Sequence, residues 1–147
     1  MVLNVAALLV AGSATLENDG AITATRIPTT SFEVDQLPLM AEVPVVLVVH
    51  ARAGGDYDPQ LYVVCKDPAG VRRGTFEAAW HWPDDGDRPS KYRCFSQQLP
   101  FAIEAEGEYT IGVYYDVEGK IELATPIPVS ISLMETNAAP TNGDSAE

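Results

Sequence analysis

Gly107-Glu108-Tyr109-Thr110-Ile111-Gly112-Val113-Tyr114-Tyr115 and, further on, Ile121-Glu122-Leu123-Ala124-Thr125-Pro126-Ile127-Pro128-Val129-Ser130-Ile131-Ser132-Leu133 decide the fold class. Tyr109, Ile111, Val113 and Tyr115 share one phase of a period of two, and so do Ile121, Leu123, Ile127, Val129, Ile131 and Leu133. Successive side chains of a strand point to opposite faces, so this pattern describes half-buried strands, where a helix would repeat near 3.6. Asp116-Val117-Glu118-Gly119-Lys120 lies between the two with the glycine and acidic residues of a hairpin turn, which predicts antiparallel neighbours. Pro126 and Pro128 fall on the opposite phase and remove ladder donors, marking Thr125 to Leu133 as an edge strand or a bend between sheets. Tyr109 follows Glu106-Gly107-Glu108, where Greek-key sandwiches place a tyrosine whose hydroxyl closes the preceding corner.

Upstream, the same extended chemistry recurs. Val45 to Ala51 is almost continuously aliphatic, as expected of a central strand covered on both faces, and Gly54-Gly55-Asp56-Tyr57-Asp58-Pro59 ends it. Gln60 to Lys66 follows, with Leu61, Val63 and Cys65 on one side, and Asp67-Pro68-Ala69-Gly70 has the residue order of a type I turn. Phe76, Ala78, Trp80 and Trp82 alternate with Thr75, Glu77, Ala79 and His81. After the polar loop Pro83 to Ser90, Lys91 to Leu99 is again extended, and a helical turn or two is expected near Phe101 to Glu106. Val2 to Ala14 reads as a buried first strand, Glu17-Asn18-Asp19-Gly20 as a turn, and Ala21 to Ile27 as a second strand. These segments predict an all-β, single-domain antiparallel β-sandwich of eight or nine strands, immunoglobulin-like or jelly-roll, over residues 1–134. Residues 135–147 contain no large apolar side chain and are expected to form a disordered acidic tail.

The chain has 147 residues, enough to bury a core without disulfides or metals. Twenty-one acidic against nine basic residues give a net charge of -12, which repels phosphate backbones and anionic lipid surfaces, so nucleic acid and membrane are not expected partners. The apolar amino-terminal run has no Lys or Arg before Arg26 and is interrupted by Asn4, unlike a secretory signal. No segment approaches the ~20 apolar residues of a membrane helix. The expected location is the cytoplasm or a particle assembled in it.

Residues that carry chemistry are sparse. Cys65 and Cys94 lie in separate strand-like runs, and free thiols are expected of them in a reducing compartment. His50 and His81 are the only histidines and stand in no catalytic or metal-ligand spacing. Asp84, Asp85 and Asp87 around Gly86 resemble part of a Ca²⁺ loop but lack its remaining oxygen ligands and terminal Glu. No catalytic residue, cofactor or metal is expected. Trp80 and Trp82, in phase with Phe76, are expected in the core, although with Tyr57, Tyr62 and Tyr92 they could instead line a sugar- or peptide-binding face. Tyr57 and Tyr62 fall outside the alternation and, with Pro126 and Pro128, form the expected interaction surface.

The Glu-Asn-Asp-Gly turn between two amino-terminal strands, Leu37-Pro38-Leu39 before the aliphatic run, the Asp67-Pro68-Ala69-Gly70 turn, and Leu99-Pro100-Phe101 with Pro126-Ile127-Pro128-Val129 give the chain a family likeness. Over about Val2 to Leu133 it resembles a group of small uncharacterised β-sandwich proteins from actinobacteria and their phages. The resemblance implies a fold and a setting, a phage accessory or virion component, and carries over no site residue. The expected function is that of a non-enzymatic structural or interaction protein, a minor capsid or decoration component, monomeric or weakly oligomeric alone and docked to a larger assembly. The alternative is a module binding carbohydrate or Ca²⁺.

Overall fold

A computed structural model of the chain describes residues 3–84, 86 and 88–135. Within them it is all-β, with no helix. The strands are β1 (Leu3–Val10), β2 (Ser13–Leu16), β3 (Ile22–Thr25), β4 (Ser31–Val34), β5 (Leu39–Arg52), β6 (Gln60–Lys66), β7 (Arg72–Ala79), β8 (Ser90–Ile103), β9 (Gly107–Tyr114) and β10 (Ile127–Leu133). They form a three-stranded sheet β1-β5-β8, a five-stranded sheet β4-β10-β9-β6-β7, and the β2-β3 hairpin. Pairing is antiparallel except between β10 and β4.

The aliphatic run of the sequence lies within β5, the centre of the smaller sheet, which is longer than the run itself. Its odd-numbered side chains, Val43 to Ala51, face a core that the larger sheet completes with Leu61, Val63 and Cys65 of β6, Tyr109, Ile111 and Val113 of β9, and Val129 and Ile131 of β10. Val46, on the other face of β5, is also buried, so this strand is covered on both sides as its composition predicts. Phe76, Ala78, Trp80 and Trp82 all lie in the core, while Glu77, Ala79 and His81 are exposed. The Tyr109 hydroxyl donates to the Ala105 carbonyl at 2.7 Å and closes its corner.

Several expectations need correction. Phe101 to Ile103 are the end of β8, paired with Leu39 to Ala41 of β5, and not a helix: their ladder is long-range and invisible to local periodicity. Ten strands replace the eight or nine expected, because Val2 to Ala14 divides into β1 and the start of β2, and β4 carries only four residues. The second strand of the quoted pair does not begin at Ile121, which is 60% exposed, and Tyr115 is 47% exposed. Tyr114 bridges Glu122, but regular pairing resumes only at Ile127 with Ile111. The returning chain carries more residues than β9 between these points, and the surplus bends at Leu123 and Ala124. Tyr114 takes the buried role instead, its ring folded back over Gly112, where a Cβ would collide with it. Nor is β10 an edge: β4 pairs in parallel along Ser130 to Leu133, and Pro128 lies just before that ladder, where its missing N–H interrupts nothing. Met1, Val2 and the tail from 136 onward, to which the disorder expectation applies, lie outside the described residues.

The hairpin turns are held by aspartates. Asp67 Oδ1 accepts from the Ala69 and Val71 N–H groups, both at 2.9 Å, and Oδ2 accepts from Arg73 Nε at 2.9 Å. The Val71 N–H above all, with Arg73 and Ala69, holds the Asp67 carboxyl below the usual carboxylate range against the opposing effect of burial. Asp116 is lowered in the same way by the Ile121 and Lys120 N–H groups. A carboxyl depressed in the folded state adds stability above its unfolded pKa of about 3.9 and loses it as pH falls through the lower folded value. Asp67→Asn therefore lowers the melting temperature at neutral pH and flattens its decline below about pH 4; an unchanged acid limb contradicts this account.

Gly74 of β7 is where the two larger sheets touch, since a Cβ there would overlap the Pro100 carbonyl oxygen and press on Phe101 of β8. Gly74→Ala is expected to cost about 1–3 kcal/mol in a urea melt, because backbone and not a flexible side chain must yield. An unchanged midpoint contradicts the contact.

Candidate functional site

Two places on the molecule combine shape with chemistry, at opposite ends of the ladder that β1 forms with β5. At the end formed by Ala51 and Arg52, Lys91 of β8 is the buried charged residue of the described chain. Its ammonium donates to the Gly55 carbonyl at 2.8 Å and the Pro83 carbonyl at 3.0 Å and stands 5.4 Å from the ring centres of both Tyr57 and Trp82. The Gly54 N–H donates to Asp84 Oδ1 at 3.0 Å, and the Asp84 N–H to Asp56 Oδ1 at 2.5 Å. Tyr57 exchanges backbone hydrogen bonds with Trp82, and Trp80 stacks edge-on against Trp82 and Phe95. Lysine here works as a staple between two loops.

This placement corrects the reading of Tyr57 as an exposed contact residue. Its ring is half-buried against Trp82, its hydroxyl is enclosed without a hydrogen-bond partner, and burial raises the pKa of the phenol. Trp80 and Trp82 are 8% and 4% exposed, too enclosed to present a stacking platform. Of the acidic loop, Asp84 binds backbone, and Asp85 and Asp87 lie outside the described residues. Among the described residues no group of three or more His, Cys, Asp or Glu is placed to hold a metal ion. His81 Nδ1 lies 2.8 Å from Asp58 Oδ1 at an exposed position, and His50 stacks on Tyr92 of β8, so the histidines serve different surfaces.

At the other end of the β1–β5 ladder, where Val10 pairs with Val45, Thr29 and Thr30 strap the two larger sheets together. The Thr29 N–H donates to the Val10 carbonyl on the edge of β1 at 2.8 Å, and the Thr30 carbonyl accepts from the Ser130 N–H of β10 at 2.8 Å. Beside the strap runs an apolar groove of about 460 Å³. Leu9 and Val10 form one wall, Ile127 and Pro128 the other, and Glu108 is its one charged lining residue. Pro128 is exposed there, and Pro126, half-buried, precedes β10. Tyr62 shares the outer face of the larger sheet with Pro128, but β9 separates them: Tyr62 pairs with Tyr114, and Pro128 with Thr110. The four expected contact residues thus do not converge; only Pro128 lines the groove. The strap and the wall from β1 escaped sequence reasoning, although Pro28 and the alternation of Phe32 and Val34 after it are visible signals of a turn into a strand.

The cysteines lie on opposite faces of their sheets relative to the core: Cys65 points inward from β6, while Cys94 of β8, paired with Val48, points outward and is half-buried. They cannot reach each other, and both are free. Burial, with a smaller contribution from Asp67, pushes the Cys65 thiol up to about 12.

No helix of the described chain is long and apolar enough to cross a membrane. Compared with protein-family models and with curated proteins, the chain matches none.

Two outcomes check this geometry. Under native conditions Cys94 is alkylated ahead of Cys65, which reacts only on unfolding; equal rates contradict the burial of β6. Lys91→Ala is expected to cost about 2–3 kcal/mol, since charge-assisted hydrogen bonds and two carbonyl partners are lost together, and a melt that shows no loss contradicts the staple.

Proposed function

We propose that the chain is an immunoglobulin-like or jelly-roll β-sandwich that performs no catalysis and docks to a larger protein assembly through the groove between β1 and β10. The shared core of the two larger sheets and the Tyr109 corner support the sandwich. One observation carries the docking reading: an apolar groove stands open at the surface, whereas the rings of Tyr57, Trp80 and Trp82 and the Lys91 ammonium are committed to the molecule's own loops and core. The net charge of -12 favours a monomer over self-association and directs the molecule toward a partner of other composition. The resemblance to proteins of actinobacteria and their phages supports a phage particle as the assembly, with this chain a minor capsid or decoration component, present in the host cytoplasm or the virion.

A nitrogen-15 NMR titration of the full chain with the peptide acetyl-Lys-Val-Thr-Val-Thr-Val-Lys-amide tests the docking surface. The amides of Leu9, Val10, Thr29, Thr30, Ile127 and Ser130 are expected to shift together, with light scattering showing a monomer before titration. Shifts confined to other surfaces, or none at millimolar peptide, overturn the reading.

A further inference from the structure

We propose that the groove receives an extended segment of a partner protein, which joins the three-stranded sheet as a fourth strand along β1 and carries a basic residue opposite Glu108. This rests on the docking reading above and specifies its occupant.

The backbone directions define what the groove offers. The Ala11 N–H donates to the Pro44 carbonyl at 3.0 Å, and in an antiparallel ladder such pairs alternate, so Leu9 and Ala7 turn their N–H and C=O groups toward β5. Leu8 and Val10 turn theirs to the free edge. Thr29 takes the Val10 carbonyl; no strand of the described chain pairs with the outward side of Leu8. An open donor and acceptor on a sheet edge are the elements of strand addition.

The other edges of the two larger sheets carry features that discourage pairing. β7 bears Arg72, Arg73 and Glu77, β8 bears Lys91 and Arg93, and β4 has four residues including Glu33. Over its eight residues β1 has no charged side chain and one polar one, Asn4. A bulge between Val5 and Ala7 limits the regular open stretch to Ala7 through Val10, and this restricts the register of an added strand. Across the groove Pro128 has no N–H to donate, so the incoming strand pairs with β1 alone and packs alternate side chains on Ile127 and Pro128.

Charge selects among occupants. A second copy would bring its own net charge of -12, and the acidic tail of this chain, residues 135–147, has no large apolar residue to fill the groove. Glu108, exposed at the rim and unopposed by any basic lining residue, favours Lys or Arg on the arriving segment. The occupant is therefore an apolar, alternating stretch of another protein flanked by a basic residue.

The lysine-ended peptide above is compared with two relatives: one N-methylated at alternate residues on each edge in turn, the other ended in glutamates. The lysine-ended peptide is expected to slow hydrogen exchange at the Leu8 amide, and methylation on the edge facing β1 to weaken it by about tenfold, as loss of the backbone hydrogen bond to the Leu8 carbonyl implies. Glutamate ends weaken it too, and Glu108→Lys, a change on the exposed rim, reverses the order of the two charged peptides. If groove amides shift but methylation on either edge leaves affinity unchanged, strand addition fails while docking stands. If Glu108→Lys leaves the order unchanged, the basic flank fails. If no groove amide shifts, docking itself fails, and this inference with it.

Discussion

Burial of the odd-numbered side chains of β5 between the two larger sheets is the constraint on which the rest of the molecule depends. Val43, Val45, Leu47 and Val49 are each at most 3% exposed, and burying an aliphatic side chain of this size is worth about 1.5–3 kcal/mol. A slip of one residue would carry the whole row to the outer face, so the register with β1 and β8 has one solution. That register places Lys91 opposite Ala51 at one end of the core, sets Cys94 facing away from it, and turns Leu8 toward the open edge.

The two ends of the β1–β5 ladder are finished differently. At one, the loops around Gly55 and Pro83 are tied by the Lys91 ammonium, by the mutual hydrogen bonds of Tyr57 and Trp82, and by Asp84. These bonds tie down the loops, while the Tyr57 hydroxyl and the Trp80 indole N–H stay enclosed without a partner among rings packed on one another. At the other end, a strap of two threonines joins the sheets through one hydrogen bond to each, and apolar surface remains beside it. Shape and unmatched backbone groups coincide at the second end, and the proposed docking is placed there for that reason.

Most of the strands were legible because each has one face buried, which writes period two into the sequence: Phe76 to Trp82 and Tyr109 to Val113 are read correctly to the residue. The failures share a cause. β4 is held by a parallel ladder to β10, nearly a hundred positions away, the carboxyl end of β8 by its pairing with β5, and the bend before β10 by a mismatch between two chains. None of these leaves a local pattern. The same applies to the groove, whose lining comes from four distant segments, so Pro128 was legible as a position without a donor, whereas Leu9, Val10 and the threonine strap became meaningful only in three dimensions. Tyr57 misled because aromatic residues in a Gly-Asp-Pro loop look exposed until Lys91 is seen holding the loop down.

The proposed docking requires the free edge of β1 to be open in the isolated protein. Native-state amide hydrogen exchange of the full chain measures this directly. Leu9, whose N–H faces β5, is expected to exchange only through global unfolding, while the adjacent Leu8, whose N–H faces the free edge of β1, exchanges faster by orders of magnitude. Equal protection at the two residues would mean that the edge is already paired in solution, and would contradict the open groove.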